Sequence, residues 1–264
     1  FFLFPILYSF FISFHSWSTL SSPSYVGLEN YRDIFFSSHL YFWNSMKNTV
    51  CYVGIVVPSV VVLALIVAVL VNMRTGLQNF FKVLYFMPVI CSAIVVGIIW
   101  KWIYSGDIGV LNYFLDLFHL PTKVWLGDTQ TALGAVAIVG IWQSVGYYMI
   151  IYLAGLQSIP SQLYEAAKVD GASEFQNFIF ITLPMLRPII LLVLILTTIF
   201  AFQAFGVIYI MTYGGPVRST NTVVWKIYIS AFTNFNFGYA AAMAFTLFLV
   251  IFAISMVQLK YFKS

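Results

Sequence analysis

Charge is the scarcest commodity in this chain. Only 8% of its 264 residues are Asp, Glu, Lys or Arg, while 62% are hydrophobic. Soluble domains carry about 25% charged residues, so a solvated globular fold is excluded. All eight acids (Glu29, Asp33, Asp107, Asp116, Asp128, Glu165, Asp170 and Glu174) fall between the long apolar runs. No Asp, Glu, Lys or Arg stands near the middle of a run. Ion-driven carriers commonly place such a group in the membrane because it is costly there, so its absence counts against that class, although backbone carbonyls can also hold sodium. There is no His-Glu-x-x-His, no Gly-x-Ser-x-Gly and no Gly-x4-Gly-Lys-Ser/Thr sequence. Zinc hydrolysis, a serine nucleophile and nucleotide hydrolysis by a phosphate loop therefore have no residues to carry them. No catalytic residue and no metal ligand is assigned. Cysteine is scarcer still, with two residues. Cys51 and Cys91 both lie in apolar runs and read as small buried hydrophobes rather than a disulfide or metal pair. The formal net charge of +4 is scattered and gives no nucleic-acid footprint. His15, His39 and His119 are isolated and receive no chemistry.

What is abundant is apolar length. A bilayer core is crossed by about 20 helical residues. The composition predicts an all-α integral membrane protein with six spans, near 1–20, 47–71, 83–104, 130–157, 186–212 and 238–260, in one transmembrane domain covering 1–264. The chain opens with Phe1 inside an apolar run with no basic leader. That run therefore reads as a first span clipped at its start, not as a signal peptide. Pro58 falls inside the second span, where neighbouring helices can satisfy the carbonyl it frees. Trp100, Trp102 and Trp125 suit interfacial belts. Val110 to Leu120 suits a helix lying along the membrane surface. Tyr213-Gly214-Gly215-Pro216 reads as a turn ending the fifth span. Basic residues do not fix the orientation. Arg74, Lys82, Lys168, Arg187, Lys260 and Lys263 fall on one side, and Arg32, Lys47, Lys101, Lys123, Arg218 and Lys226 on the other.

The polar connection 158–185 is the most informative stretch. Pro160 and Ser161 open a short helix, with serine suited to the cap. Asp170-Gly171 end it, glycine being free to turn left-handed. Ser173 and Gln176 have capping-box spacing for a second helix. Phe175, Phe178 and Ile179 give that helix an apolar side, and Leu183-Pro184 are expected to stop it before Arg187-Pro188 lead into the fifth span. The outcome is a compact helical knob between two spans.

The fixed residues of that knob are Glu165-Ala166-Ala167, Gly171 after three residues, and Ile181-x-Leu183-Pro184 after nine more. This pattern resembles the signature loop of permease subunits of binding-protein-dependent ABC importers, with every specified position present. Three further stretches are similar to sugar-importer permeases: Val26-Gly27-Leu28-Glu29-Asn30-Tyr31; Leu84 to Pro88 with Val96 to Trp102; and Thr212 to Pro216 with Thr220 and Tyr228. The resemblance runs from about residue 24 to the end and is closest to the maltose, glycerol-3-phosphate and multiple-sugar permeases. One departure is Tyr213, where that family often has a third glycine.

The resemblance implies the type I importer permease fold with six spans and a cytoplasmic coupling loop. Glu165, Ala166, Ala167, Asp170, Gly171, Ile181, Leu183 and Pro184 would meet an ATPase subunit. It implies a second permease, two ABC ATPase subunits that bind the ATP and magnesium, an extracellular solute-binding protein and a carbohydrate substrate. The place would be the cytoplasmic membrane of a bacterium or archaeon, with no cofactor held by this chain. Two helix faces then suggest a passage: Gly140, Gln143, Ser144 and Tyr147 at i, i+3, i+4 and i+7 of the fourth span, and Thr197, Ala201 and Ala204 in the fifth. Polar residues in spans also serve to pack helices, and Gln203 reads that way. A permease for another solute, such as a glycerol phosphate or a peptide, and a stand-alone ion-coupled carrier remain the competing readings.

Overall fold

A computed structural model describes residues 3–18, 22–37, 41–73 and 76–262. Arg74, Lys263, His39 and the outer ends of the expected first span lie outside the described residues. Thirteen α-helices are present among the described residues: α1 (Leu3–Ile12), α2 (Glu29–Phe36), α3 (Phe42–Asn72), α4 (Gln78–Ile90), α5 (Ala93–Ile103), α6 (Val110–Leu117), α7 (Ala132–Gln157), α8 (Ser161–Val169), α9 (Glu174–Asn177), α10 (Leu183–Phe202), α11 (Gly206–Met211), α12 (Val223–Tyr228) and α13 (Phe237–Phe262). Two π-helical segments, Phe178–Thr182 and Ile229–Thr233, prolong α9 and α12.

Four stretches are long and apolar enough to cross a membrane: Phe42–Asn72, Ala132–Gln157, Glu174–Met211 and Phe237–Tyr261. The expected third span corresponds to α4 and α5, but these meet at 96° instead of forming one straight rod. Pro88 removes one backbone donor near the end of α4, and Cys91-Ser92 then turn extended. Ser92 restarts the helix by accepting from the Val95 amide at 3.3 Å. The first expected span also needs correction. Its described helix ends at Ile12, and His15–Ser16 (β1) pair antiparallel with Ser24–Tyr25 (β2), His15 opposite Tyr25.

α3, α7 and α10 form the larger core, with Val60, Ala64, Val136, Met149, Tyr152 and Val193 buried between them. A second core joins α2, α12 and α13 through Ile34, Phe42, Phe202, Val223 and Met243. Hydrocarbon offers helices no hydrophobic drive to associate, so close van der Waals contact at small residues does that work. A Cβ at Gly146 of α7 would land on the Tyr85 carbonyl of α4, and one at Gly97 of α5 would sit 2.8 Å from Ile210 of α11. Both cysteines are free and lie on the outer surface, not in the interior as expected.

Polar side chains fasten the end of the bundle remote from residues 158–185. Ser45, Asn48 and Thr49 line one side of α3. Asn48 Nδ2 donates to the carbonyls of Arg218 (2.8 Å) and Asn221 (3.1 Å), Ser45 Oγ donates to Asn221 Oδ1 (3.1 Å), and Thr49 Oγ1 accepts from the Val223 amide (3.0 Å). The Val26-to-Tyr31 motif has a comparable task. Gly27 turns left-handed at φ +60°, and buried Asn30 donates to the carbonyls of Ser13 (2.9 Å) and His15 (3.0 Å), pinning the hairpin.

Gly146→Ala is expected to lower the melting temperature in detergent, with an overpacking cost of about 1–3 kcal/mol. Gly134→Ala, on the same helix but with nothing within 4 Å of the new methyl, is the control. Equal melting temperatures for the two variants would refute the close α4–α7 approach.

Candidate functional site

The 158–185 connection folds as a two-helix knob, each half closed by its own side chains. Pro160 is the residue before the first helical position of α8, and Ser161 lies inside the helix, so serine is not the cap that the sequence suggests. At the other end Gly171 has φ +80°. Its amide donates to the Lys168 carbonyl (3.2 Å) and the Ala172 amide to the Ala167 carbonyl (2.9 Å). This pair of bonds is the Schellman arrangement that glycine permits. The capping box is present: Gln176 N donates to Ser173 Oγ (3.3 Å) and Ser173 N to Gln176 Oε1 (2.8 Å).

Leu183-Pro184 do not stop the second helix. The Leu183 amide reaches back five residues to the Phe178 carbonyl, and the backbone passes through the π turn directly into α10. Pro184 has no amide hydrogen, and its ring crowds the carbonyl four residues earlier. A wider π turn relieves that crowding without ending the helix. α9 is therefore a continuous extension of the long α10 span. α8 is tied to it by the Tyr164 hydroxyl, 2.9 Å from Thr182 Oγ1. Neither the π turn nor this tether was anticipated; Pro184 was the signal for the first, while nothing in the spacing pointed to the second.

No residue of α8 is buried. Glu165 and Ala166 face outward, and Val169 (87% exposed), Phe175 (73%) and Phe180 (75%) present apolar surface. A cleft of about 370 Å³ is lined by Ala167, Asp170, Gly171, Gln176, Phe180 and Ile181. Five of the eight predicted coupling residues thus lie on the outward face or in the cleft through α8 and its turn, with Ile181 completing the cleft wall. Leu183 and Pro184 belong to the root of α10. A capped, uncovered surface mixing acids with bare apolar side chains has the character of a docking face.

The two candidate passage faces fare differently. Tyr147 is exposed and stands edge-on to Tyr148, with centroids 5.1 Å apart. Ser144 Oγ donates to the Gly140 carbonyl of its own helix (2.7 Å). Gln143 Nε2 donates 3.1 Å to the Cys91 carbonyl, one of the groups released at the α4–α5 bend. Gly140 is buried under the Tyr52 hydroxyl. Thr197 is buried and bonded to the Val193 carbonyl (2.6 Å), Ala201 is buried, and Ala204 is half-buried. Within this chain, then, Tyr147 is exposed, Gln143 and Ser144 are half-buried, and Gly140, Thr197 and Ala201 are buried. Their spacing was legible; the neighbour filling the space was not. Tyr213, the departure noted in the sequence, has φ +51°, a conformation that suits glycine and is unusual for an aromatic residue.

A multi-pass helical membrane bundle with an uncovered helical knob is the class these features define. Residues 42–262 match the family of binding-protein-dependent transport system inner membrane components, and the chain belongs to that family. It is 35% identical over 265 residues to the "Probable ABC transporter permease protein YurN" of Bacillus subtilis (strain 168), covering 98% of this chain and 90% of that protein. It is 32% identical over 264 residues to the trehalose/maltose transport system permease protein MalF of Thermococcus litoralis, covering 98% and 88%. Among solved structures, a chain of a bacterial alginate ABC transporter, crystallised with its alginate pentasaccharide-bound periplasmic protein, superposes with a TM-score of 0.80. That match has 23% identity over 88% of this chain and 81% of the other, and it establishes the type I permease fold.

Gly171→Ala forces a Cβ into the left-handed turn at a cost of about 1 kcal/mol. Hydrogen exchange at the Ala172 amide is expected to accelerate about fivefold while amides in the middle of α7 keep their protection. Unchanged exchange at Ala172 would show that the turn does not hold the knob.

Proposed function

We propose that this chain is the permease subunit of an ATP-driven importer for a carbohydrate, and that its knob receives the force. The sequence has no Gly-x4-Gly-Lys-Ser/Thr phosphate loop, and in this reading two ABC ATPase subunits bind the ATP and magnesium beneath the knobs of this chain and a second permease. An extracellular binding protein delivers the sugar, and the assembly sits in a bacterial or archaeal cytoplasmic membrane. The carbohydrate assignment is supported by relatives named for trehalose/maltose and multiple-sugar transport.

The observation that carries the coupling role is continuity. The uncovered face of α8 and α9 joins the α10 span through an unbroken helical backbone and the Tyr164–Thr182 tether. Glu165 and Ala166 meet the ATPase, the acid opposite a basic group and the alanine allowing close approach. Ala167, Asp170, Gly171 and Ile181 form the receiving cleft. When the ATPases close on ATP, the knobs are drawn together and the bundles open outward; hydrolysis returns them. Gln143, Ser144 and Tyr147 supply this chain's share of hydrogen bonds to sugar hydroxyls along the passage. The domain 1–264 acts as half of that passage and performs no covalent chemistry.

Glu165→Arg in the reconstituted four-subunit assembly is expected to reduce ATP-dependent sugar uptake at least tenfold, with the subunits still co-purifying and the binding protein still holding sugar. Wild-type uptake rates in that variant, or uptake by this chain alone driven by an ion gradient and indifferent to ATP, would overturn the reading.

A further inference from the structure

Where α5 ends, the chain folds back on itself at once. Gly109 lies so close to the last turn of α5 that an added Cβ would strike the carbonyls of Ser105 and Ile103. α6 therefore starts at the level where α5 stops, and the two helices pack together. The rest of the connection is clamped at the same level. Asn112, buried on the inner side of α6, uses its whole side-chain amide. Nδ2 donates to the carbonyls of Gly106 (3.0 Å) and Lys123 (2.9 Å), and Oδ1 accepts from the Lys123 amide (3.2 Å) and from Trp125 Nε1 (2.9 Å). The Trp125 ring leans on Tyr104, with centroids 5.9 Å apart, and the Trp125 carbonyl accepts from Thr131 Oγ1 (2.8 Å), just before α7. Tyr104 Oη donates to the Ala135 carbonyl of α7 (3.2 Å). α6 is thus pinned beside the end of α5 and the start of α7, at the membrane surface remote from the knob.

The open side of this helix is the wrong way round for water. At 3.6 residues per turn, Tyr113, Phe114 and Leu117 fall opposite the inner set Leu111, Asn112 and Leu115. They are exposed at 67%, 51% and 59%, and Phe118 beside them at 70%. A helix on a watery surface turns its polar residues outward. This one holds its amide inside and bares aromatic and leucine side chains, with Asp116 at the edge. The residues around it are those of a membrane surface. Lys101 and Trp102 stand exposed on the last turn of α5, and the Lys123 ammonium lies 5.7 Å from the centre of the Trp125 ring. Tryptophan and lysine anchor at headgroup level. A groove lined by Ile98, Trp102, Gly106 and Val124 joins the open side of α5 to this connection, so the bare surface continues that of a membrane helix.

We propose that α6 is an interfacial anchor, with Tyr113, Phe114, Leu117 and Phe118 seated in a phospholipid surface at the boundary of headgroups and acyl chains, and Lys101 and Lys123 at the phosphates. The occupant follows from depth together with composition. The Gly109 contact and the Asn112 clamp keep the helix from standing off the level where the spans emerge, and an apolar helix face held at that level meets lipid. The inference depends neither on the cargo nor on the coupling role of the knob. It gives the Asn112 clamp a purpose that loop closure alone does not: the amide fixes which side of α6 is turned out. Because α5 is one arm of the 96° corner, an anchor at its end fixes the depth of that arm.

The test uses the full chain, with the subunits that co-purify with it, in vesicles of phosphatidylethanolamine and phosphatidylglycerol. Cys51→Ala and Cys91→Ala remove the native thiols, and Tyr113→Cys, Asp116→Cys and Leu117→Cys each carry a nitroxide in that background. Power saturation then compares collisions with oxygen, which concentrates in lipid, and with a water-soluble nickel chelate. The oxygen-to-nickel ratio at Tyr113→Cys and Leu117→Cys is expected to exceed that at Asp116→Cys about threefold, as for a face sunk into the headgroup boundary. A ratio at Leu117→Cys no higher than at Asp116→Cys would overturn the anchor, because water then covers the face. Few collisions with either reagent at Tyr113→Cys and Leu117→Cys would overturn it as well, because protein then covers the face. A photocrosslinker avoids the label's bulk: benzoylphenylalanine in place of Phe118 is expected to attach to phospholipid. Attachment to another polypeptide in its place would make α6 a subunit contact and end the proposal.

Discussion

A backbone carbonyl or amide has no water to turn to inside a bilayer, and each one left bare costs several kcal/mol. That constraint explains the placement of nearly every informative polar side chain in the spans. The helices are interrupted at Cys91-Ser92 and at Gln203 to Phe205, and each interruption releases carbonyls. Gln143 of α7 donates to the Cys91 carbonyl, and Thr222 Oγ1, from the turn before α12, donates to the Ala204 carbonyl at 3.2 Å. The π turn at Phe178–Thr182 needs no outside donor because it re-forms its own bonds with a longer reach. Once these repairs are in place the short segments can cross closely. α5 and α11, both products of a break, approach each other at Gly97 against Ile210 and at Gly206 against Ala93. The breaks, their repairs and the small residues are thus one solution to one problem.

Much of this was readable from residues alone. The apolar lengths located four of the six expected spans, those at 47–71, 130–157, 186–212 and 238–260, on helices long enough to cross a membrane, because length against hydrocarbon thickness is a one-dimensional quantity. The knob's closing devices were readable because glycine at a helix end and Ser-x-x-Gln at a helix start act locally. What escaped was whatever depends on a second element. Gln143 has the same spacing whatever its amide meets, and only the fold brings the Cys91 carbonyl beside it. Gly140 is equally small whether it makes room for sugar or for the Tyr52 ring. Pro184 is a sound stop signal in an isolated helix, yet a helix already anchored by a long span can absorb it as a π turn.

The polar ladder on α3 also changes how the remote end should be regarded. Asn48, Ser45 and Thr49 hold the backbone at Arg218, Asn221 and Val223. Buried side chains bonded to backbone groups in this way fix register, because displacing them leaves carbonyls unpaired at about 1–3 kcal/mol each. The turn carrying Tyr213 and leading to Tyr228 is therefore attached to the same helix that packs most extensively on α7.

Stiffness at both ends bears on how force at the knob would be used. α10 is gripped near the knob by Gly155 of α7, whose absent side chain admits Ile189 and Leu186, and near its far end by the second core through Phe202. Gripped twice along its length, α10 is packed near both ends, so on the proposed function a displacement of α8 and α9 would be carried as motion of the α3–α7–α10 unit. The compliant places are the ones where helices end: the 96° corner between α4 and α5 and the short gap between α10 and α11. Proline, glycine and a serine cap mark the corner. On the proposed function, a bundle divided this way would convert a push on one end into a change of shape at the other without melting any helix.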